Sequence, residues 1–110
     1  MKRIVQYYII AFLMIFAAQV SVAQTTDAST LHETARSFMR QGDFENAQLV
    51  LTKALQANPD NLELLKDQAF VYYLQRNFSS TIESCKRITA RADADVQTYQ
   101  ILGLAYKATA

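Results

Sequence analysis

Large apolar residues recur between residues 28 and 110 in trios that share one internal spacing. Each trio has a large apolar residue, a small residue four positions later and an aromatic residue three positions after that. The trios lie 34 residues apart and consist of Leu31, Ala35 and Phe38; Leu65, Ala69 and Tyr72; and Tyr99, Gly103 and Tyr106. A constant period of about 34 residues is typical of stacked helix–turn–helix units. No β pattern interrupts it, so the pattern predicts an all-α protein.

Polar residues between the trios predict where the first two helices begin and end. We expect the first helix to begin at Thr30, which has the spacing of a capping box with Glu33, and to end near Gln41. Gly42 follows, and glycine readily takes the left-handed conformation that ends a helix. Asp43 is expected to cap a second helix that runs to about residue 56.

Three more helices are predicted after Pro59, which cannot continue a helix. Asp60, with Glu63, is expected to cap the third helix, over about 62–75. This helix is apolar on all sides between residues 69 and 74, which predicts burial between neighbouring helices. Asn77 is expected to cap the fourth helix, to about residue 91, and Asp95 the fifth, over about 96–108.

The repeat resembles the tetratricopeptide repeat, whose pattern reads W-x₂-L-G-x₂-Y, then A-x₃-F, then P. Residues 99–106 match the first half, with Tyr99 in place of Trp, and Ala47, Leu51 and Pro59 match the second half in the first unit. The second unit departs from the pattern at four positions: Thr81, Cys85, Ile88 and Asp93.

The resemblance implies a superhelix of helical hairpins with about two and a half repeats and five helices. Its boundaries are 28–61 for repeat 1, 62–95 for repeat 2 and 96–110 for the first helix of an incomplete repeat 3. Small residues are expected to let neighbouring helices approach closely; they are Ala35, Ala47, Ala69 and Gly103.

The fifth helix is apolar on two opposite stripes, whereas a terminal repeat normally turns a polar face to water. One stripe is Tyr99, Leu102, Gly103 and Tyr106, and the other is Ile101, Leu104, Ala105 and Ala108. Two hypotheses follow. Either the sequence is the leading fragment of a longer envelope protein or enzyme with a functional domain beyond residue 110, or the helix meets a partner or self-associates.

The first 23 residues have the three parts of a secretory signal peptide in order. Lys2 and Arg3 form a basic start, residues 7–18 are apolar, and Ser21 and Ala23 are the small residues that signal peptidase requires. We expect cleavage between Ala23 and Gln24, a disordered linker over 24–27, and export to the periplasm, cell envelope or medium. The alternative is an uncleaved anchor, which would be the only membrane contact, since residues 4–23 are about long enough to span a bilayer.

Composition argues against several other functions. Without Lys2 and Arg3, the 11 basic residues fall to nine against 10 acidic ones, which gives no reason to expect nucleic acid as a partner. Cys85 is the single cysteine and is expected to be a buried, inert thiol. His32 is the single histidine and is expected on an exposed face, so no metal site and no cofactor are predicted.

In the family, the first helices of the hairpins line a concave groove that binds other proteins. The resemblance places eleven residues there: His32, Arg36, Met39, Arg40, Lys66, Phe70, Tyr73, Gln97, Gln100, Leu104 and Lys107. The hypothesis is a protein-interaction scaffold, not an enzyme and without a small-molecule substrate, that takes a partly acidic peptide or helix. The competing interpretation is an ordinary solvated helix face. A carboxylate clamp of the kind found in some relatives is not supported, because Asp67 stands at one of its positions.

Overall fold

The structure, a computed structural model, describes residues 2–8 and 28–110. Residues 2–8 are helical and exposed. Five further helices make up the rest: α1 (Ala28–Arg40), α2 (Phe44–Ala57), α3 (Leu62–Leu74), α4 (Phe78–Thr89) and α5 (Val96–Thr109). The predicted cleavage site at Ala23 and Gln24 and the predicted linker lie outside the described residues. No helix in the described part of the chain combines the length and apolarity needed to span a membrane.

The 34-residue period of the sequence reappears in the helix boundaries. Helices α1, α3 and α5 begin at residues 28, 62 and 96, and α2 and α4 begin at residues 44 and 78. The turn inside each hairpin repeats as well. Gly42 and Arg76 both have positive φ, at 76° and 61°, and each precedes the residue that caps the next helix. The predicted all-α fold of helical hairpins is therefore confirmed in the described residues.

Three of the five predicted caps are present. The side chains of Asp43, Asn77 and Asp95 accept hydrogen bonds from the backbone N–H three residues later, at 3.2–3.3 Å. Two predictions are wrong. Thr30 lies inside α1, which begins at Ala28, so it cannot cap that helix. Asn61, not Asp60, caps α3 by accepting from the Leu64 N–H at 3.1 Å.

The core consists of two clusters that meet at α3. The first contains Ala35 of α1, Ala47, Leu51 and Ala54 of α2, and Leu64 and Val71 of α3. The second joins Ala69 of α3 to Cys85 and Ile88 of α4 and Ile101 of α5. Because α3 contributes to both clusters, no residue from 64 to 74 is exposed, which confirms the predicted burial of the central helix.

The departures of the second unit from the repeat pattern are accommodated by local chemistry. Thr81 is fully buried where Ala is usual, and its hydroxyl donates to the Asn77 carbonyl at 2.9 Å, so no buried polar group is left unpaired. Cys85 is also fully buried, and burial raises the pKa of its thiol. The predicted burial of the thiol is confirmed.

The packing role predicted for Gly103 is wrong. Ala35, Ala47 and Ala69 are completely buried, whereas Gly103 is exposed and a Cβ atom there would meet nothing within 4 Å. The reason is its place in the hairpin: Ala35 and Ala69 face the second helix of their own unit, and no described helix lies in that position against α5.

Candidate functional site

The first helices of the three units enclose a shallow hollow of about 340 Å³ on one face of the stack. Its lining comes from α1, α3 and α5 and comprises Arg36, Met39, Arg40, Asp67, Phe70, Leu74 and Gln97. Five of the eleven residues proposed for the groove therefore lie together. Leu74 was missed, although it lies one helical turn after Phe70 and so shares its face.

Asp67 is the centre of a polar cluster that links α1 to α3. Its Oδ2 lies 2.6 Å from Nε2 of His32 and accepts a hydrogen bond from Nε of Arg36 at 3.2 Å. The side chains of Asp67 and His32 are only 11% and 21% exposed, so the prediction of an exposed His32 is wrong. From the sequence, Asp67 was notable only as a departure from the carboxylate clamp, whereas in the structure it links two repeats.

Lys66 forms the corresponding link between α3 and α5. Its ammonium group donates to Asp95 at 2.7 Å and to Gln97 Oε1 at 3.1 Å, and it pairs with Glu63 at 2.9 Å. Burial alone lowers the pKa of Lys66, but the hydrogen bonds to Asp95 and Glu63 outweigh this and raise it above its ordinary value. Lys66 is 4% exposed and fully engaged, so it does not present a free charge to a ligand, contrary to the expectation for a groove residue.

Tyr73 belongs to an aromatic row that leads away from the hollow. Its ring stacks on Phe70, with centroids 6.2 Å apart, and packs at a tilt against Phe78 of α4 at 5.7 Å. Arg76 lies over the Phe78 ring at 6.0 Å. Tyr73 therefore packs against Phe70 but is not among the residues that line the hollow.

The other predicted groove residues of α5 stand apart from the hollow. Gln100, Leu104 and Lys107 are all exposed along α5, and Leu104 retains 43% of its surface. They extend the same side of the stack beyond Gln97 but add nothing to the hollow itself. The compact part of the candidate site is thus confined to units 1 and 2, with Gln97 at its edge.

A second hollow, of about 360 Å³, lies between α3, α4 and the turn before α3, and the sequence did not indicate it. Leu65 and Ile88 contribute apolar surface, and Arg87 and Arg91 contribute cations. The guanidinium of Arg91 is already hydrogen-bonded within the chain. It donates two 2.8 Å hydrogen bonds to Asp93 and one to the Asp60 carbonyl. Within residues 2–8 and 28–110 there is no group of three metal-ligating side chains.

A family model described as the tetratricopeptide repeat matches residues 38–103, which is more than half of the 110 residues. Searches of curated proteins and of solved structures returned no match.

Proposed function

The chain belongs to the tetratricopeptide repeat family, and from that premise we propose that it holds a peptide segment or helix of a partner protein in the hollow between α1, α3 and α5. Tetratricopeptide repeats are generally interaction modules without enzymatic activity. The observation that carries the proposal is an exposed arginine side chain next to apolar side chains in the lining of the hollow. Arg40 is exposed, has no ion-pair partner among the described residues, and shares the hollow with Met39 and Phe70.

Arg36 complements Arg40 because its one recorded bond leaves most of its donors available. It binds Asp67 through Nε alone, and its side chain is 44% exposed. The terminal nitrogens remain to pair with a ligand carboxylate, and the Asp67 bond holds the guanidinium in place. The expected ligand therefore carries an Asp or Glu next to a large apolar residue.

The proposal is tested by selecting peptides from a phage-displayed random library on the purified protein. We expect the selected peptides to be enriched in acidic residues next to large apolar ones. Their affinity should fall roughly tenfold or more in the Arg36→Ala/Arg40→Ala double variant, because each charge-assisted hydrogen bond contributes about 1.5–3 kcal/mol. Fluorescence anisotropy titration measures the change.

Arg87→Ala is the matched control, since Arg87 is a 75% exposed arginine on α4 outside this hollow. It should leave the affinity unchanged. Equal losses in Arg87→Ala and the double variant would indicate general charge attraction or binding at the second hollow, which Arg87 lines. Undiminished binding by the double variant would refute the groove.

We also propose that the protein is exported and that residues 1–23 are removed. The support is the order of the basic start, the apolar run and the small residues before Gln24. Intact-mass measurement on the protein from the periplasmic or secreted fraction should give a chain that begins at Gln24. A full-length mass in the membrane fraction would instead show an anchor.

A further inference from the structure

His32 and Lys66 occupy the same position in successive repeats. They lie one 34-residue period apart, and each contacts a carboxylate that adjoins or belongs to the next first helix. Nε2 of His32 is 2.6 Å from Oδ2 of Asp67, and Nζ of Lys66 is 2.7 Å from Oδ2 of Asp95. Lysine ordinarily stays charged at neutral pH, whereas histidine ordinarily gains its charge between about pH 5 and 8. The same repeat position therefore holds a permanent cation in unit 2 and a titratable side chain in unit 1.

The contact between His32 and Asp67 allows the ring to change its charge without changing its partner. An ionised carboxylate only accepts hydrogen bonds, so Nε2 of His32 donates to it even when the ring is neutral. A second proton, at Nδ1, adds a positive charge and leaves that bond in place. The His32 side chain is 21% exposed, so solvent can deliver and remove this proton.

Asp67 connects the charge of His32 to the hollow between α1, α3 and α5. Its Oδ2 contacts both His32 and Nε of Arg36, and Asp67, Arg36 and Arg40 all line the hollow. With His32 neutral, the negative charge of Asp67 offsets one of the two arginine charges. With His32 protonated, the imidazolium balances Asp67, so the charges of both arginines act on a ligand. A ligand carboxylate therefore meets a more positive site when His32 is protonated.

The other charged side chains near His32 come from α1 and from α2 and α3, which contact it. Carboxylates, lysines and arginines ordinarily keep their charge between about pH 5 and 8. Besides Arg36 and Asp67, they are Glu33 of α1, Glu45 and Lys53 of α2, and Glu63 and Lys66 of α3. Glu63 and Lys66 pair with each other at 2.9 Å, and the other three are exposed. His32 is the single histidine of the chain, so it is the group whose titration changes the charge of this site.

We propose that protonation of His32 is a switch that raises the affinity of this hollow for an acidic ligand. The inference rests on the proposed function, since it concerns the same hollow and the same ligand carboxylate. Affinity for an acidic peptide should rise roughly threefold to tenfold between about pH 8 and about pH 5.5, the size expected for one added charge near a protein surface. Added salt should reduce the gain, because ions screen exposed charges.

The probe is an acidic peptide selected from the phage-displayed library on the wild-type protein, with capped ends and a fluorescent label. Fluorescence anisotropy measures its affinity for the full chain at both pH values. The control ligand is the same peptide with its acidic residue replaced by the corresponding amide. It should bind more weakly and show no gain at the lower pH, because the added charge then has no carboxylate to attract.

Two substitutions fix the charge at position 32 in either state. His32→Lys introduces the residue found at the equivalent position of unit 2, and at about pH 8 it should bind the peptide as tightly as the wild type does at about pH 5.5. His32→Gln retains a side-chain N–H donor without a charge, and it should keep the weaker affinity at both pH values. Both variants should keep the wild-type fold by circular dichroism, because each can still donate to Asp67.

Calorimetry separates protonation of His32 from a general effect of pH on the peptide. Near pH 6.5, the ordinary midpoint of histidine, binding to the wild type should take up a fraction of a proton. The uptake is obtained by isothermal titration in two buffers with different enthalpies of ionisation. Neither His32→Lys nor His32→Gln should show it.

The outcomes distinguish this inference from the proposed function. A peptide that binds through Arg36 and Arg40 with equal affinity at both pH values, or without proton uptake, would overturn the inference alone. An equal gain at the lower pH in His32→Gln would do the same. If no peptide is selected, or if the Arg36→Ala/Arg40→Ala variant binds as well as the wild type, both proposals are wrong. A gain that needs both His32 and the acidic residue of the peptide supports the switch.

Discussion

Gly42 and Gly103 show how two identical residues take different roles. Gly42 has φ of 76° at the turn between α1 and α2, where an L side chain is strained. Gly103 has helical neighbours on both sides and open space where a side chain would be. The local sequence around Gly42 indicated its role, whereas that of Gly103 depends on whether a helix lies opposite it.

The same substitution at these two positions should therefore have opposite effects on stability. Gly42→Ala should lower the free energy of unfolding by roughly 1 kcal/mol, the cost of a left-handed alanine. Gly103→Ala should raise it by up to about 1 kcal/mol, the difference in helix propensity between the two residues. Urea unfolding followed by circular dichroism measures both, and a loss of stability in Gly103→Ala would show that the position is less open than described.

For the helix caps, the sequence predicted the type of capping residue better than it predicted which position caps the helix. Asp43, Asn77 and Asp95 cap as expected because each follows a clear break in the apolar pattern. Asn58, Pro59, Asp60 and Asn61 all belong to one turn, and any of several polar residues there can cap. In the structure the backbone places Asn61 at the N-cap of α3. No feature of the local sequence distinguishes Asn61 from Asp60 as the capping residue.

At the scale of the helices, two polar links join neighbouring units. His32 and Arg36 of α1 meet Asp67 of α3, and Lys66 of α3 meets Asp95 and Gln97 at the start of α5. The partners are separated by 29–35 residues. The repeat period predicts that these helices are neighbours, but only their rotation about their own axes decides which side chains meet. For this reason Lys66 and His32 were expected, from the sequence, to lie in the groove without a partner inside the chain.

The link at Lys66 predicts a specific pH dependence. The hydrogen bond from Lys66 holds the pKa of Asp95 below its ordinary value. A depressed pKa means that the stabilisation is present above the ordinary aspartate range and is lost as the pH falls through the lowered value. Asp95→Asn keeps a capping side chain but removes the charge, so it should lower the melting temperature at neutral pH and have little effect in strong acid.

Asp43→Asn is the control for this comparison. It makes the same change at another helix cap, where the partner is Asn46 and no lysine is involved. Its melting temperature should differ from the wild type by less than that of Asp95→Asn at neutral pH. Equal shifts in the two variants would mean that the Lys66 link adds nothing beyond the cap.

At the scale of the whole stack, stability should be distributed unevenly. In a repeat protein each unit is stabilised mainly by its neighbours, and the terminal units are the weakest. Helix α3 has packed neighbours on both sides, whereas α5 has one open face. The sequence predicted this arrangement from the period and from the all-round apolar character of residues 69–74.

Amide hydrogen exchange should reflect this gradient. Backbone amides in α3 should be the slowest to exchange, and those in α1 and α5 should exchange faster because fewer described helices pack against them, so that they open at a lower free-energy cost. Exchange measured by mass spectrometry with peptide-level resolution, corrected for intrinsic rates, checks the order. Slower exchange in α1 or α5 than in α3 would contradict a stack held together from its middle.

The two links use acids at different positions of the repeat, which makes the order of the hairpins matter even though their backbones are alike. From unit 1 to unit 2, cations on the earlier helix meet an acid on the later one at Asp67. The residue 34 positions after Asp67 is Ile101, which offers no carboxylate. A rearranged gene that joined residue 61 directly to residue 96 would put Asn61 in place of Asp95 before α5, and it would leave His32 and Arg36 without their acid. Evolution by duplication and shuffling of such hairpins is therefore constrained by which unit precedes which.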